Sequence, residues 1–156
     1  MSKIYRAIGR RSGYFRHINQ LVAKATAQNM VRNEQRLVDI LTNFLSNGQH
    51  RPPWLYGVQL GTLEQDHQAI DVVVTSDAGP LFLQVKSSEI FKHQFEAEQD
   101  RRRKAGKRLT ILATIVVNER MTDGEVLGDC LHQLHLLRKQ VRIHGSFLPA
   151  KRKKSG

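Results

Sequence analysis

Residues 69–88 read AIDVVVTSDAGPLFLQVKSS, and this stretch decides the fold because it predicts two short apolar strands joined by a turn. The turn, TSDAGP at 75–80, consists largely of residue types that favour a reversal of the chain. The two strands are therefore expected to lie side by side as an antiparallel pair.

Each predicted strand carries polar side chains where a buried strand is normally apolar. Asp71 lies among Ile and Val residues in the first strand, and Gln84 and Lys86 interrupt the second. Because side chains alternate across a strand, Gln84 and Lys86 point to the same face. Burial of such groups without partners is costly, so an acid, an amide and a lysine at one spot indicate a functional site.

The composition indicates one folded domain with a strongly basic surface. The chain has 156 residues, a length at which a domain buries about two thirds of its unfolded surface. Its 25 Lys and Arg against 14 Asp and Glu give a formal net charge of +11, which favours nucleic acid as a partner. We expect a single domain over 1–156, with a core over about 17–143 and basic flexible arms at 1–16 and 145–156.

Several other classes are disfavoured by features that the sequence lacks. It contains no long apolar span and no strongly apolar amphipathic stretch flanked by Trp, so no membrane association is expected. The single cysteine, Cys130, rules out an internal disulfide and a multi-cysteine zinc site. The basic start lacks the apolar core of a secretory signal, although it is compatible with organellar targeting. A cytoplasmic protein without a small-molecule cofactor is therefore expected.

A helical segment precedes the strand pair. Apolar residues recur at helical spacing between 17 and 45, as one helix or as two that break near Gln28 and Asn29. Glu34 falls on the apolar side of this segment, where a carboxylate needs a partner. The helix alone favours a salt bridge from Glu34 to Arg36 or to a neighbouring strand.

The remaining patterns complete a layered α/β arrangement. Strands are expected at 54–60 and 109–117, with a helix capped by Ser88 between them and a final helix opened by the capping-box spacing of Thr122 and Glu125. The order is helix, three strands, helix, strand, helix. It predicts a three-layer α/β sandwich in which helices flank a central mixed sheet of about four strands.

Two segments concentrate the positive charge. Residues 101–108, RRRKAGKR, end the helix after the strand pair, and residues 1–16 are rich in Gly and Arg. For 101–108 we favour contact with phosphate over a merely solvated helix face. For 1–16, phosphate binding and a solvated terminus are equally favoured. Asp66 and His67, in the polar connection before the first strand of the pair, are expected to be solvated.

Glu34 on the leading helix, Asp71 on the second strand and QVK at 84–86 on the third together resemble the PD-(D/E)XK nuclease superfamily, the restriction-endonuclease-like fold. The similarity covers about residues 30–117. The spacing and the Ser after the lysine look most like archaeal Holliday-junction resolvases. Gln in place of an acid looks more like Mrr-type enzymes and a small group of homing endonucleases.

The resemblance implies a DNA endonuclease that hydrolyses phosphodiester bonds by attack of a metal-activated water. It implies Mg²⁺ or Mn²⁺ bound by Glu34, Asp71, Gln84 and Val85, and a catalytic set of Glu34, Asp71, Gln84 and Lys86. The implied partner is double-stranded or branched DNA, and a homodimer would let two sites cut two strands. The residues expected to contact nucleic acid are Arg10, Arg11, Ser87, Ser88, Arg101, Arg102, Arg103, Lys104, Lys107 and Arg108.

Gln84 leaves other interpretations open. An amide oxygen can coordinate Mg²⁺ but lacks a charge, and a unit charge at about 4 Å is worth about 4 kcal/mol at an effective dielectric of about 20. Either the remaining acids matter more, or the chain is a non-catalytic nucleic-acid-binding module that keeps the nuclease fold. A third interpretation is a structural protein in which Asp71 and Lys86 form a buried ion pair.

Overall fold

The computed structural model describes residues 3–47 and 50–148. The predicted basic tail from 149 onward and the side chains of Arg10 and Arg11 lie outside the described part of the chain. Two compact units are present, Met1–Arg32 and Asn33–Gly156.

The helices and strands alternate along the chain much as the sequence predicts. In order they are α1 (Lys3–Ser46), β1 (Leu55–Leu60), α2 (Leu63–Asp66), β2 (Val72–Ser76), β3 (Gly79–Lys86), α3 (Glu89–Lys104), β4 (Leu109–Thr110), β5 (Leu112–Val116), α4 (Asp123–His144) and β6 (Phe147–Leu148). Ser88 caps α3, and Thr122 and Glu125 form the capping box of α4, which confirms both predicted helix starts.

The first unit is helical. Its part of α1 begins at Lys3, where the sequence predicts a loosely ordered arm, and the helix continues past Gln28 without a break. Each residue added to an existing helix gains one hydrogen bond, which favours extension even through two glycines that cost about 1 kcal/mol each. The apolar side chains of Leu21 and Val31 are 54% and 64% exposed. Neither α1 nor any other described helix combines the length and apolar content that a membrane crossing requires.

The second unit is built around a four-stranded mixed sheet with the strand order β1-β2-β3-β5. Antiparallel pairing joins β1 to β2 and β2 to β3, and parallel pairing joins β3 to β5. The predicted antiparallel strand pair is therefore present as β2 and β3. Because β2 and β3 are the two inner strands of the sheet, the end of β3 is held in a defined position next to the start of β2.

Helices cover both faces of this sheet. Residues 33–46 of α1 and the inner side of α4 share a core with the side chains of Leu81, Leu83 and Val85 on β3. Gln84 lies between these residues and points to the opposite face, which α3 covers. The predicted three-layer α/β sandwich with a mixed sheet of four strands is thus confirmed.

Two predictions near the end of the chain were wrong. Residues 109–117 form β4 and β5 rather than one strand, because the Ile111 N–H donates at 2.9 Å to the carbonyl of the residue before β6. The chain therefore changes partner at Ile111, with β4 paired to β6 and β5 paired to β3. The pairing also places β6 within the predicted flexible arm at 145–156.

Candidate active site

Asp71 precedes β2 directly and is held by the backbone of β3. The paired part of β2 and β3 ends at Val72 and Leu83, and Asp71 lies directly at this end of the pair. The Asp71 N–H donates to the Leu83 carbonyl at 2.9 Å, and Asp71 Oδ2 accepts the Val85 N–H at 2.8 Å. Asp71 is only 7% exposed, so its carboxylate is fixed in a largely dry position.

The end of β1 approaches Asp71 from the other side. The Gly61 N–H donates to the Asp71 carbonyl at 2.8 Å. A Cβ atom at Gly61 would overlap the backbone carbonyl oxygen of Ile70. Glycine is therefore required for this close approach. The sequence alone did not identify Gly61 as a residue that positions the site, because the contact joins separate parts of the chain.

Gln84 carries a buried oxygen without a partner. The residue is 5% exposed, and its Oε1 atom accepts no hydrogen bond from any described residue. An unsatisfied buried acceptor of this kind costs about 1–3 kcal/mol. Gln84 lies between Leu83 and Val85, the two residues whose backbone holds Asp71, so its amide and that carboxyl belong to the same end of the strand pair. Both are the hard oxygen donors that Mg²⁺ prefers.

Glu34 reaches the same place from α1. Burial is the main cause that raises the pKa of Glu34 to about 7, and the charges of Asp71 and Asp66 and a hydrogen bond to Asp71 raise it further. The positive charge of Lys86 opposes this shift. Near neutral pH the Glu34 carboxyl is therefore between its protonated and ionised forms, and its protonated form donates to Asp71. A cation would relieve the repulsion between the two ionised groups.

The pKa of Asp71 is also raised, and burial is again the main cause. The Val85 N–H and the charge of Lys86 oppose the shift, while the charge of Asp66 adds to it. Asp66 is exposed, as expected, but its charge raises the pKa of both the half-buried Glu34 and the buried Asp71. The sequence-based interpretation of Asp66 as merely solvated missed this role, because only the bend before β2 brings it near the pair.

The predicted salt bridge from Glu34 to Arg36 is absent. Arg36 instead pairs with Asp123 at 2.8 Å and donates to the carbonyls of Asn118 and Met121, each at 2.7 Å. Residues two apart on a helix do not face each other, which explains the error. Within the described ranges Glu34 also forms no ion pair with a strand, so its carboxyl is available to the site.

Lys86 ends β3 on the same face as Gln84. Its Nζ lies 5.0 Å from the ring centroid of Phe95 on α3, within the range of a cation–π contact. No described ion pair joins Lys86 to Asp71, which disfavours the structural interpretation. Lys86 nevertheless lowers the pKa of both carboxyls, so its charge acts on the site. Phe95 was not predicted, because tertiary packing alone brings it to Lys86.

The predicted nucleic-acid contacts are divided between the two ends of α3. Ser88 accepts the Phe91 N–H as the helix cap beside the site, and the Ser87 carbonyl accepts from Asn118 at 3.2 Å. The cationic segment 101–108 lies at the other end, since a rise of about 1.5 Å per residue puts Arg101 about 20 Å from Ser88. The structure thus separates this segment from Ser87 and Ser88 along the helix.

The cations of this segment differ in their surroundings. Arg101 pairs with Glu98, and Lys104 pairs with Asp100 at 2.7 Å. Arg103 turns inward, with its Nε buried and without a hydrogen-bond partner among the described residues. Only part of the predicted set therefore presents unpaired charge to solvent.

The donor set at the carboxyls consists mainly of oxygens. Among residues 3–47 and 50–148, no three His, Cys, Asp or Glu side chains cluster closely enough to hold a metal ion. A cation here would need the amide oxygen of Gln84 beside the carboxyls of Asp71 and Glu34, and the unpaired state of that oxygen fits such a role. The side chain of Val85 lies in the core, and its N–H holds Asp71.

No protein-family model, curated protein or solved structure matches this chain. Its own fold and site therefore define its class. It is a three-layer α/β protein with two coupled carboxyls, a buried amide oxygen and a lysine at one end of its central strands.

Proposed function

We propose that the protein is a metal-dependent DNA endonuclease of the PD-(D/E)XK type, which hydrolyses phosphodiester bonds. The observation that carries this proposal is the meeting of Glu34 and Asp71 at the end of β3 that also carries Gln84, whose buried oxygen has no hydrogen-bond partner among the described residues. These three residues would hold Mg²⁺ or Mn²⁺. The net charge of +11 fits a polyanionic substrate such as DNA.

The bound cation would neutralise charge at the phosphate. It would also lower the pKa of a water, so that hydroxide is available near neutral pH to attack phosphorus. Asp71 cannot easily rotate away, because the Val85 N–H holds its carboxylate at 2.8 Å. Glu34 has a pKa of about 7, so it can release its proton near neutral pH when positive charge arrives.

Lys86 would stabilise negative charge that builds up on the phosphate oxygens. It lies on the same strand face as Gln84, and Phe95 restrains its ammonium group at 5.0 Å from the ring centroid. A fixed positive charge in a partly dry site stabilises a transition state better than a mobile charge in water. Lys86 therefore acts as an electrostatic group here rather than as the general base.

Cleavage of plasmid and branched DNA with Mg²⁺ or Mn²⁺ tests this function. Asp71→Ala and Lys86→Ala are expected to abolish the products while the circular dichroism spectrum stays that of the folded protein. Asp39→Ala and Lys139→Ala, at exposed positions on α1 and α4, serve as matched controls that keep activity. Undiminished cleavage by both site variants would overturn the proposal.

One observation favours a second candidate, a non-catalytic nucleic-acid-binding module with the same fold. In the described part of the chain, no three metal-ligating His, Cys, Asp or Glu side chains cluster, because Gln84 stands where an acid would complete the set. This candidate predicts salt-sensitive DNA binding without any metal-dependent product.

A further inference from the structure

A cavity lies on the α3 side of the sheet, next to the connection that leads into Asp71. Its volume is about 200 Å³. Three parts of the second unit form its walls: the connection before β2, the last turns of α3, and the segment from 108 into β5. Its polar lining consists of His67, Gln68, Gln99, Arg102, Arg108 and Thr110.

The charge of this cavity is positive and uncompensated. None of its lining residues is an acid. Within the described residues, the guanidinium of Arg102 has no ion pair, and Arg108 stacks at 4.3 Å on the ring centroid of Phe147 instead of binding a carboxylate. The neighbouring Arg101 and Lys104 lie outside the cavity and are each paired with an acid of α3.

The size of the cavity suits a small anionic group. At about 200 Å³ it is below the range of roughly 300–1,000 Å³ that encloses drug-sized molecules. Two guanidinium forks match the oxygens of a phosphate, and His67 and the two glutamines add hydrogen-bonding groups. A phosphate group therefore fits both the volume and the chemistry of the lining.

The position of the cavity links it to the candidate active site. Ala69 lines the cavity, and only Ile70 separates it from Asp71. Ala69 has a φ of 62°, an unusual conformation for a residue other than glycine, and this bend joins the cavity wall to β2. The cavity and Asp71 are therefore close enough for one polynucleotide strand to reach both.

We propose that this cavity binds a phosphate group of the nucleic acid that the candidate active site cuts. The phosphate is an internal diester of the strand or a monoester at its end, and Arg102 and Arg108 bind its oxygens in either case. The cavity would thereby fix how the strand lies over Asp71. Because the nucleic acid is the substrate assigned above, this inference rests on the proposed function.

The first test uses inorganic phosphate with the metal-free full-length protein in EDTA. Titration monitored by backbone amide resonances is expected to shift the signals of 67–69 and 102. Arg102→Gln with Arg108→Gln should abolish these shifts. The matched control, Arg101→Gln with Lys104→Gln, also removes two cations and should retain them. Absence of shifts at 67–69 and 102, or equal loss in both double variants, would overturn the proposal.

The second test measures DNA binding by fluorescence anisotropy in EDTA. Loss of two charge-assisted contacts is expected to weaken binding by about tenfold in the cavity variant, and by clearly less in the control. Duplexes with and without a terminal phosphate identify the source. If the DNA affinity depends on the terminal phosphate, the cavity binds a monoester. If the affinity does not depend on it and the cavity variant still binds about tenfold more weakly, the cavity binds an internal diester. Equal losses of DNA affinity in the two double variants would contradict the proposal that the cavity binds phosphate.

Two further comparisons keep the outcomes distinct. Arg108 also stacks on Phe147, so the single Arg102→Gln variant is measured if the double variant does not fold. That variant should still lose more affinity than Arg101→Gln. Specific phosphate binding without any cleavage would refute the proposed nuclease and leave the phosphate cavity intact. Cleavage with equal losses in cavity and control variants would refute the cavity alone.

Discussion

In the proposed metal site, the neutral amide of Gln84 would limit how much negative charge surrounds the cation. With Gln84 neutral, only Glu34 and Asp71 supply charge, and both have raised pKa values while no cation is present. An acid at position 84 would add a third carboxylate beside them. A unit charge at about 4 Å contributes about 4 kcal/mol at an effective dielectric of about 20, before desolvation is subtracted.

Gln84→Glu is therefore expected to bind Mn²⁺ at least about tenfold more tightly. It should also be less stable than the unaltered protein in EDTA, because three acids then repel one another. Calorimetric titration with Mn²⁺ and thermal unfolding measure the two effects. Gln59→Glu, at an exposed position on β1, is the control that changes neither. Unchanged Mn²⁺ affinity in Gln84→Glu would exclude position 84 as a ligand.

Glu34 predicts how stability depends on pH in the absence of metal. Its pKa is about 7 in the folded protein, against about 4.3 in an unfolded chain. Between these values the folded state binds more protons, so the free energy of unfolding falls as pH rises from about 4.3 to about 7. Glu34→Gln cannot ionise, so its free energy of unfolding should not show this fall with rising pH.

At about pH 8 in EDTA, Glu34→Gln is expected to be more stable than the unaltered protein by about 1 kcal/mol, a figure discounted for solvent screening of this partly exposed group. Urea unfolding at about pH 4 and pH 8 measures the difference. Glu119→Gln, which is exposed, should leave the pH dependence unchanged. A parallel pH dependence of Glu34→Gln and the unaltered protein would contradict the raised pKa.

At the scale of the elements, the approach of β1 to β2 shapes the place where Asp71 lies. Gly61→Ala is expected to lower the free energy of unfolding by about 1–3 kcal/mol, because the added methyl group meets the Ile70 carbonyl. Urea unfolding measures it. Gly57→Ala, within β1, is the matched control, since a Cβ atom there meets nothing within 4 Å. Equal effects of the two substitutions would show that the close approach is unimportant.

The packing of α3 on β3 positions Lys86 through the ring of Phe95. Phe95→Leu keeps an apolar side chain but removes the cation–π contact, so the rate of DNA cleavage should fall up to about tenfold, with little change in DNA affinity. Single-turnover cleavage and anisotropy separate the two quantities. Phe91→Leu, where the ring is 51% exposed, is the control. Full cleavage activity of Phe95→Leu would show that Phe95 does not position Lys86.

Local patterns predicted most of the elements. The apolar runs of β2 and β3, the cap at Ser88 and the capping box at Thr122 depend on neighbouring residues, and each element is present in the structure. The division of 109–117 into β4 and β5 could not be predicted in this way. It depends on β6, which follows the whole of α4 before it returns to pair with β4.

At the scale of the whole molecule, the side chains of the site could be selected from sequence only as unusual polar residues in apolar segments. The residues that surround these side chains could be identified only from the folded structure. Arg36 turns to Asp123 rather than to Glu34, Phe95 reaches Lys86, and the charge of Asp66 acts on the carboxyls of the site. Each of these contacts joins parts of the chain that no local pattern links.

The central claim is that Glu34 on α1, Asp71 before β2 and Gln84 on β3 together hold a divalent cation. Anomalous diffraction from crystals soaked in Mn²⁺ tests it most directly. The account predicts a peak within about 2.5 Å of a carboxylate oxygen of Asp71 and of Gln84 Oε1, and no such peak in Asp71→Ala. Diffraction that shows Mn²⁺ elsewhere, or none at all at these oxygens, would contradict it.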